Sequence, residues 1–275
     1  MTISPQQAAA EAEAILTARS EATQLQPISE RIEDFSMMDA KAVAERVLAL
    51  RTAQGEARVG RKIGFTNRSI WETFGVDAPI WGDMFDTSVH EIGTGAVDVT
   101  LPPLTEPRIE PEIVFGLGRA PDAGMSLSDL AQTIEWVAHG FEVVSTVFPG
   151  WKQTAADGRA AFAMHAGLYM GPRHPLAALG SDPVGTLAAL TLDLTDGTIK
   201  AQGRGVDVLD GPVSALSHLI DGLAQEGSDG LAPSDIITTG TLTDAFPLEP
   251  GARWRTTLRG VPMEGLDVTF HQPNA

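Results

Sequence analysis

The stretch Arg108-Ile109-Glu110-Pro111-Glu112-Ile113-Val114-Phe115 places its ionised residues two apart, with apolar residues between them. Because side chains alternate between the two faces of a β-strand, Glu110 and Glu112 are expected on one face and the apolar residues on the other. Pro111 cannot donate a backbone hydrogen bond, which predicts an edge strand, a bulge or the lip of a cleft. Two glutamates at this spacing, taken alone, are more typical of a solvated strand face.

A third carboxylate strengthens the interpretation of Glu110 and Glu112 as metal ligands. Glu142 begins the otherwise apolar run Phe141-Glu142-Val143-Val144, and we expect it at the start of a strand. Three carboxylates without His or Cys suit a hard divalent cation, Mg²⁺ or Mn²⁺. The chain has 36 acidic and 19 basic residues and a net charge of −17, so carboxylates brought together inside the fold need a cation. A metal site at Glu110, Glu112 and Glu142 is therefore a hypothesis.

A lysine lies in a second strand-like run, Gly60-Arg61-Lys62-Ile63-Gly64-Phe65-Thr66. Alternation sets Lys62, Gly64 and Thr66 on one face, and a glycine there allows a ligand to approach closely. Lys62 could hold a substrate carboxylate or stabilise an enolate, or it could be an exposed lysine on a surface strand.

The composition excludes several classes of function. The absence of cysteine excludes disulfides, thiolate zinc sites, iron–sulfur clusters and a Cys nucleophile. The strong negative charge argues against nucleic-acid and anionic-membrane partners, which need clustered Lys and Arg. The N-terminus lacks the basic and apolar stretches of a signal peptide, so we expect a cytoplasmic protein.

The distribution of apolar residues predicts an α+β fold. The first fifty or so residues are helical in pattern, which gives a small N-terminal helical unit over residues 1–57 and a β-rich metal-binding catalytic domain over residues 58–275. Ser36 or Asp39 is expected to cap the second helix, and Ser126 and Asp129 resemble a capping box. The further predicted helices are 36–50, 126–138 and 213–225, and the predicted strands are 59–66, 113–117, 141–147, 166–170, 190–194 and 235–239.

These motifs, in order and spacing, resemble a known family. The similarity is to the 2-oxopent-4-enoate (2-keto-4-pentenoate) hydratase and 4-oxalocrotonate decarboxylase group of the fumarylacetoacetate hydrolase superfamily, and it spans roughly residues 35 to 270. The runs that carry it are 60–66, Gly75-Val76-Asp77, 107–113, Ile134-Glu135-Trp136-Val137 and 141–144.

The resemblance implies a mixed β-sandwich roll behind the helical unit and an Mg²⁺ or Mn²⁺ site at Glu110, Glu112 and Glu142. It also implies that Lys62 lies in the active site, that Asp157 handles protons near the substrate, and that Arg108 and the run Thr239-Gly240-Thr241 bind the substrate's acid groups. A homo-oligomer is expected from the same likeness.

The chain departs from the family pattern at two places. Ile80 replaces an acidic residue common in the hydratases, and Asp83 or His90 could take its place. The segment after Asp157 is unusual, so His165 or Arg159 could reach the substrate, and Trp81, Phe85, Trp151 and Phe162 are either walls of an apolar cavity or core residues. His139 is either a metal ligand or base, or a histidine at a helix C-terminus.

The favoured activity is hydration of a 2-hydroxydienoate or 2-oxo-alkenoate in aromatic-compound (meta-cleavage) catabolism, through an enolate chelated by the metal. Decarboxylation of a 4-oxalocrotonate-like acid and C–C hydrolysis of an acylpyruvate are alternatives that use the same enolate. A catalytically inert homologue is the alternative outside the enzymes.

Overall fold

The computed structural model describes residues 3–74 and 76–272, so Gly75 of the Gly75-Val76-Asp77 run lies outside the described residues. Helices and strands are mixed, as predicted. The helices are α1 (Pro5–Glu21), α2 (Met37–Ala53), α3 (Trp71–Phe74), α4 (Leu127–Ala131), α5 (Ala155–Ala160), α6 (Pro183–Ala189) and α7 (Pro212–Gln225). The strands are β1 (Arg58–Gly64), β2 (Ile80–Phe85), β3 (Val89–Glu91), β4 (Ala96–Thr100), β5 (Arg108–Leu117), β6 (Ile134–Val144), β7 (His165–Met170), β8 (His174–Pro175), β9 (Thr191–Thr195), β10 (Lys200–Arg204), β11 (Ile236–Thr241), β12 (Phe246–Pro247), β13 (Arg253–Arg259) and β14 (Asp267–His271).

The larger sheet has the strand order β2-β1-β11-β5-β6-β7-β3, with β12 beside β5 and β8 beside β6. The strand β5, which carries Glu110 and Glu112, is therefore an interior strand, and the edge position suggested by Pro111 is wrong. The predicted bulge lies on the neighbouring strand, β11. Thr238 pairs with Val114 and Thr241 with Glu112, so β11 contains one extra residue there and forms a bulge.

The smaller sheet has the order β10-β9-β13-β14-β4 and packs against one face of the larger sheet. Phe141 of β6 meets Phe270 of β14 with ring centroids 6.1 Å apart, and His139 bonds to Thr256 of β13. Since His139 and Phe141 face the smaller sheet, Glu142 faces the other way. The carboxylates therefore lie on the face of the large sheet that the small sheet leaves uncovered.

The N-terminal helices pack on each other and on the segment that follows β6. Ile15 and Val43 share a buried cluster with Phe148 and Ala160. Ser36 caps α2 and accepts a hydrogen bond from the backbone of Asp39, so both expected capping residues take part. The division of the chain at residue 57 stays a prediction. None of the helices in the described ranges has the length and apolar character needed to cross a membrane.

The predicted helix over 126–138 is wrong in its second half. Ser126 does cap a helix, but α4 ends at Ala131 and β6 begins at Ile134. From Val137 to Val144 the strand is buried on both faces, so its apolar residues do not alternate with polar ones. Ile134 and Val137 continue the helical spacing of Leu127 and Leu130, and periodicity alone does not separate a buried strand from a helix.

Candidate active site

The register of two antiparallel strands brings the three predicted metal ligands together. Glu110 of β5 pairs directly with Glu142 of β6, so their side chains are cross-strand neighbours on one face. Glu112 follows two residues later on the same face. Each of the three carboxylates offers an oxygen within 4.8 Å of the others.

The bulge in β11 holds Glu112 in place. Gly240 donates its backbone N–H to Oε2 of Glu112 at 2.7 Å. Gly240 has a φ of 98°, and a Cβ at this position would lie 1.9 Å from Oγ1 of Thr66, so only glycine fits. The Thr239-Gly240-Thr241 run therefore contacts the carboxylate cluster through the backbone amide of Gly240.

Glu142 is held by His165 and Lys62. Nδ1 of His165 lies 2.7 Å from Oε1 of Glu142, and Nε2 lies 2.9 Å from Oγ of Ser88. A carboxylate only accepts hydrogen bonds, so Nδ1 carries the proton and fixes the ring. The Nζ of Lys62 lies 3.4 Å from Oε2 of Glu142. His165 is therefore buried against a carboxylate rather than exposed to substrate, and Ser88 is a partner that no sequence pattern indicated.

The cluster carries more negative charge than its protein surroundings neutralise. Burial raises the pKa of Glu112 well above its usual range, and Glu142 and Glu110 raise it further. Burial, opposed by Lys62 and aided by Glu142, raises the pKa of Glu110 to about 7. Burial would raise the pKa of Glu142 as well, but Lys62 and His165 outweigh it and the pKa is lowered.

Lys62 stays charged at the centre of this cluster. Burial alone would lower its pKa, but the carboxylates of Glu142, Glu110 and Glu112 outweigh burial and raise it. One ammonium group thus faces three carboxylates. Gly64 leaves room beside it, since a Cβ there would lie 3.3 Å from Nζ.

The donor set fits a divalent cation. Among the described residues, Oε1 of Glu112 is buried without a hydrogen-bond donor, and Oε2 of Glu142 makes no hydrogen bond and has only the Lys62 ammonium at 3.4 Å. Buried carboxylate oxygens without partners are costly, and a hard cation that takes oxygen ligands would satisfy them.

A cavity of about 250 Å³ opens beside this cluster. Lys62, Glu110 and Thr241 form part of its wall, and Arg108, which also lines it, stacks on Trp151 at 4.6 Å. Further lining residues, which no sequence pattern indicated, are Asn67, Gln153, Met164, Thr243 and Asp244.

Asp157 is not brought to this cavity. Its carboxylate accepts hydrogen bonds from the backbone and hydroxyl of Ser29 and from those of Thr154, the residue that caps α5. All four donors are local or come from the N-terminal unit, so the contacts of Asp157 are those of a structural cap. The Thr154-x-x-Asp157 spacing is a capping-box signal that was present in the sequence.

Several other candidates lie elsewhere. Trp81 packs on Gly222 and under Arg159, and Phe85 packs under Arg51, so both are core residues rather than walls of the cavity. Asp83 pairs with Arg61 and Arg58, His90 stacks on Tyr169, and Phe162 lines a different cavity. The hydroxyl of Thr239 donates to the carbonyl of Ile113.

His139 lies in the middle of β6, so its placement at a helix C-terminus is wrong. Nδ1 lies 2.9 Å from the carbonyl oxygen of Glu112, and Nε2 lies 2.8 Å from Oγ1 of Thr256. A carbonyl oxygen only accepts, so Nδ1 carries a proton, and in the neutral ring Nε2 accepts from the hydroxyl of Thr256. Burial lowers the pKa of His139 to about 4. It joins the two sheets and faces away from the cavity.

Comparisons with known proteins find relatives of similar sequence along the length of the chain. No family model matches the chain. The chain is 28% identical over 260 residues to a 2-hydroxyhexa-2,4-dienoate hydratase of Comamonas testosteroni, which covers 94% of each chain. It is 27% identical over 278 residues to a 2-keto-4-pentenoate hydratase of Paraburkholderia xenovorans, covering 99% of this chain and 98% of the relative.

Solved structures share the fold. A 4-oxalocrotonate decarboxylase from Pseudomonas putida, complexed with magnesium and adipate, matches with a TM-score of 0.87 at 24% identity, over 98% of this chain and 99% of its own. A fumarylpyruvate hydrolase from Pseudomonas aeruginosa, in complex with Mn²⁺ and pyruvate, matches with a TM-score of 0.59 at 15% identity, over 79% and 91%. The chain is therefore a homologue of the 2-keto-4-pentenoate hydratase and 4-oxalocrotonate decarboxylase group, with the fold of the fumarylacetoacetate hydrolase superfamily.

Proposed function

We propose that the chain is a divalent-metal-dependent hydro-lyase that hydrates a 2-hydroxydienoate or 2-oxo-alkenoate in meta-cleavage catabolism. The observation that carries this proposal is the set of three converging carboxylates, Glu110, Glu112 and Glu142, beside a buried lysine at a cavity. Glu112 and Glu142 each have a buried oxygen that makes no hydrogen bond. The relatives named as dienoate and pentenoate hydratases support it.

Glu110, Glu112 and Glu142 would hold the cation, which supplies Lewis acidity that polarises a 2-oxo group and stabilises negative charge on its oxygen. Lys62 lies against this cluster and lines the cavity, so its ammonium stabilises the enolate oxygen or the adjacent carboxylate of the substrate. His165 keeps the carboxylate of Glu142 in a fixed orientation.

Other residues that line the cavity bind the rest of the substrate. Arg108 is partly buried and stacks on Trp151, which limits its rotamers, and among the described residues no carboxylate lies within ion-pair distance of it. It can therefore donate to a substrate oxyanion without breaking an existing pair. Thr241 and Gln153 offer further polar groups to the same cavity.

We assign proton transfer to a residue other than Asp157, for which the family resemblance implied this role. Since the oxygens of Asp157 are engaged in capping, we assign this role to Asp244, which is the other carboxylate besides Glu110 among the described residues lining the cavity. Its exposure permits exchange of protons with solvent.

Decarboxylation of a 4-oxalocrotonate-like acid is the second candidate function. Two cationic side chains, Lys62 and Arg108, line one cavity, which suits a substrate with a carboxylate at each end. The decarboxylase that shares the fold was complexed with adipate, which is also a dicarboxylate.

A direct assay separates the two activities. The metal-loaded chain is incubated with 2-hydroxypenta-2,4-dienoate and, separately, with 4-oxalocrotonate, while loss of the diene absorbance and release of CO₂ are followed. Hydration removes the diene and retains all carbon, whereas decarboxylation releases CO₂. If neither substrate reacts with Mg²⁺ or Mn²⁺ present, the chain is the inert homologue and the proposal fails. The preference for Mg²⁺ or Mn²⁺, homo-oligomeric assembly and a cytoplasmic location remain predictions.

A further inference from the structure

A second cavity, of about 310 Å³, lies between α1, the end of α2 and the start of β7. Arg19 and Arg51 line it together with hydroxyl groups such as those of Ser20 and Ser88. It shares no lining residue with the cavity beside Lys62. It therefore lies outside the site proposed for catalysis, although the ring of His165 forms part of its wall.

Arg51 is held in one position within this cavity. Its guanidinium donates to both oxygens of Glu56, with Nε lying 2.9 Å from Oε1. Its carbon CZ lies 3.8 Å from the centre of the Phe85 ring and 5.6 Å from that of Phe162. A guanidinium fixed in this way loses little conformational entropy when it binds a ligand.

Arg19 has no such partner. Within residues 3–74 and 76–272, no carboxylate lies within 4.0 Å of its guanidinium. Burial, with the positive charge of Arg51, lowers the pKa of Arg19 to about 10, so the two guanidinium groups repel each other. Glu56 neutralises one of the two charges, and the acidic chain, with 36 Asp and Glu residues, places no second carboxylate there.

We propose that this cavity binds a small oxyanion, a carboxylate or a phosphate, between Arg19 and Arg51. Two guanidinium groups with neighbouring hydroxyl donors are the groups that recognise planar or tetrahedral oxyanions. The cavity volume is that of a site for a small metabolite. The ligand neutralises the charge of Arg19, which the described residues leave unpaired.

Calorimetric titration of the Mg²⁺-loaded full chain at constant ionic strength tests this site. Inorganic phosphate and succinate are titrated separately, and the tighter of the two identifies the class of oxyanion. The expected result is saturable binding that weakens by about tenfold or more in Arg19→Gln, because one charge-assisted hydrogen bond is lost. Arg19→Lys, which keeps the charge, retains part of the affinity.

Two control variants make the result specific. Arg46→Gln removes the same charge from an exposed position on α2 and is expected to bind as the wild type does. Glu110→Gln disturbs the metal cluster and is expected to leave this binding unchanged. Equal binding by wild type and Arg19→Gln, or loss of binding only in Glu110→Gln, would overturn the proposal. The proposal is also overturned if the wild type binds neither phosphate nor succinate. A lower oligomeric mass of Arg19→Gln in light scattering would then show that a carboxylate of a second copy occupies the cavity.

Discussion

The ammonium of Lys62 lies 3.4 Å from Oε2 of Glu142, and neither side chain is more than 2% exposed. Breaking a buried ion pair by removing one partner leaves an uncompensated charge, which costs far more than the pair contributes when intact. Glu110 and Glu112 lie in the same cluster, so Lys62 is the only cation among the described residues that faces three carboxylates at this site. Lys62 therefore has a role in folding as well as the role we propose in catalysis.

We predict that Lys62→Met abolishes turnover and, in metal-free protein at pH 8, lowers the free energy of unfolding by about 3–5 kcal/mol. The loss is smaller at pH 5, because burial raises the pKa of Glu142 once Lys62 no longer lowers it, which favours uptake of a proton by the variant. Urea unfolding at both pH values measures it. Lys152→Met, an exposed lysine, is the matched control and should change neither quantity. A Lys62→Met variant as stable and as active as Lys152→Met would show that the pair has no such role.

Removing the partner of Glu142 should weaken metal binding without removing a ligand. His165→Leu deletes the 2.7 Å hydrogen bond to Glu142, and we expect a 10–100-fold higher Kd for Mn²⁺, which is typical for the loss of a residue that orients a ligand. His165→Asn, whose amide can still donate, should lose less. His174→Leu, a partly buried histidine outside the site, is the control. Equal Kd values for the Leu and Asn variants would argue against a positioning role.

The affinity for the cation should rise with pH. The pKa of Glu110 is raised to about 7 by burial and by Glu142, against the effect of Lys62, and burial raises the pKa of Glu112 well above its usual range. Both groups must lose protons before they bind a cation, so the Kd falls as pH increases from 6 to 8, by about tenfold per pH unit for each proton released. Mn²⁺ titrations at constant ionic strength measure this dependence. A Kd that is the same at pH 6 and pH 8 would contradict the raised pKa values.

Stability should depend on pH through His139. Its pKa is lowered by burial to about 4, against 6.5 when unfolded, so the unfolded chain takes up this proton first. The contribution of neutral His139 is complete above pH 6.5 and is lost as pH falls from 6.5 towards 4. Compared with His139→Gln, the wild type should lose up to about 1.4 kcal/mol more per pH unit in that range. Identical pH profiles for the two proteins would show that His139 does not stay neutral.

The alternation of residues 108 to 117 was enough to predict that Glu110 and Glu112 share a strand face. It was not enough to predict burial, because the register that sets Glu142 opposite Glu110 is a contact between residues 32 positions apart. Without the structure, only the resemblance to a known family indicated that Glu110, Glu112 and Glu142 lie together. The same long-range packing decides the placement of Trp81 and Phe85, whose types suit a core and a cavity equally.

Other errors came from local patterns that have two interpretations. Ile134 and Val137 continued a helical spacing, yet a strand buried on both faces has the same composition. Asp157 was assigned to the substrate from family likeness, although Thr154 three residues earlier makes it a capping residue. His165 was expected to reach the substrate, and no local feature of the sequence shows that its partners are Glu142 and Ser88.

The most direct test of the metal site is a Mn²⁺ titration of the full chain, followed by electron paramagnetic resonance of the free ion, with wild type and Glu112→Gln compared at pH 8. Glu112→Gln keeps the shape of the side chain but removes the charge, and Glu135→Gln, an exposed glutamate on the same sheet, is the control. We predict one tightly bound ion per chain in the wild type and in Glu135→Gln, and at least a 100-fold weaker Kd in Glu112→Gln, about 3 kcal/mol of binding free energy. Unchanged stoichiometry and Kd in Glu112→Gln would contradict a metal site at Glu110, Glu112 and Glu142.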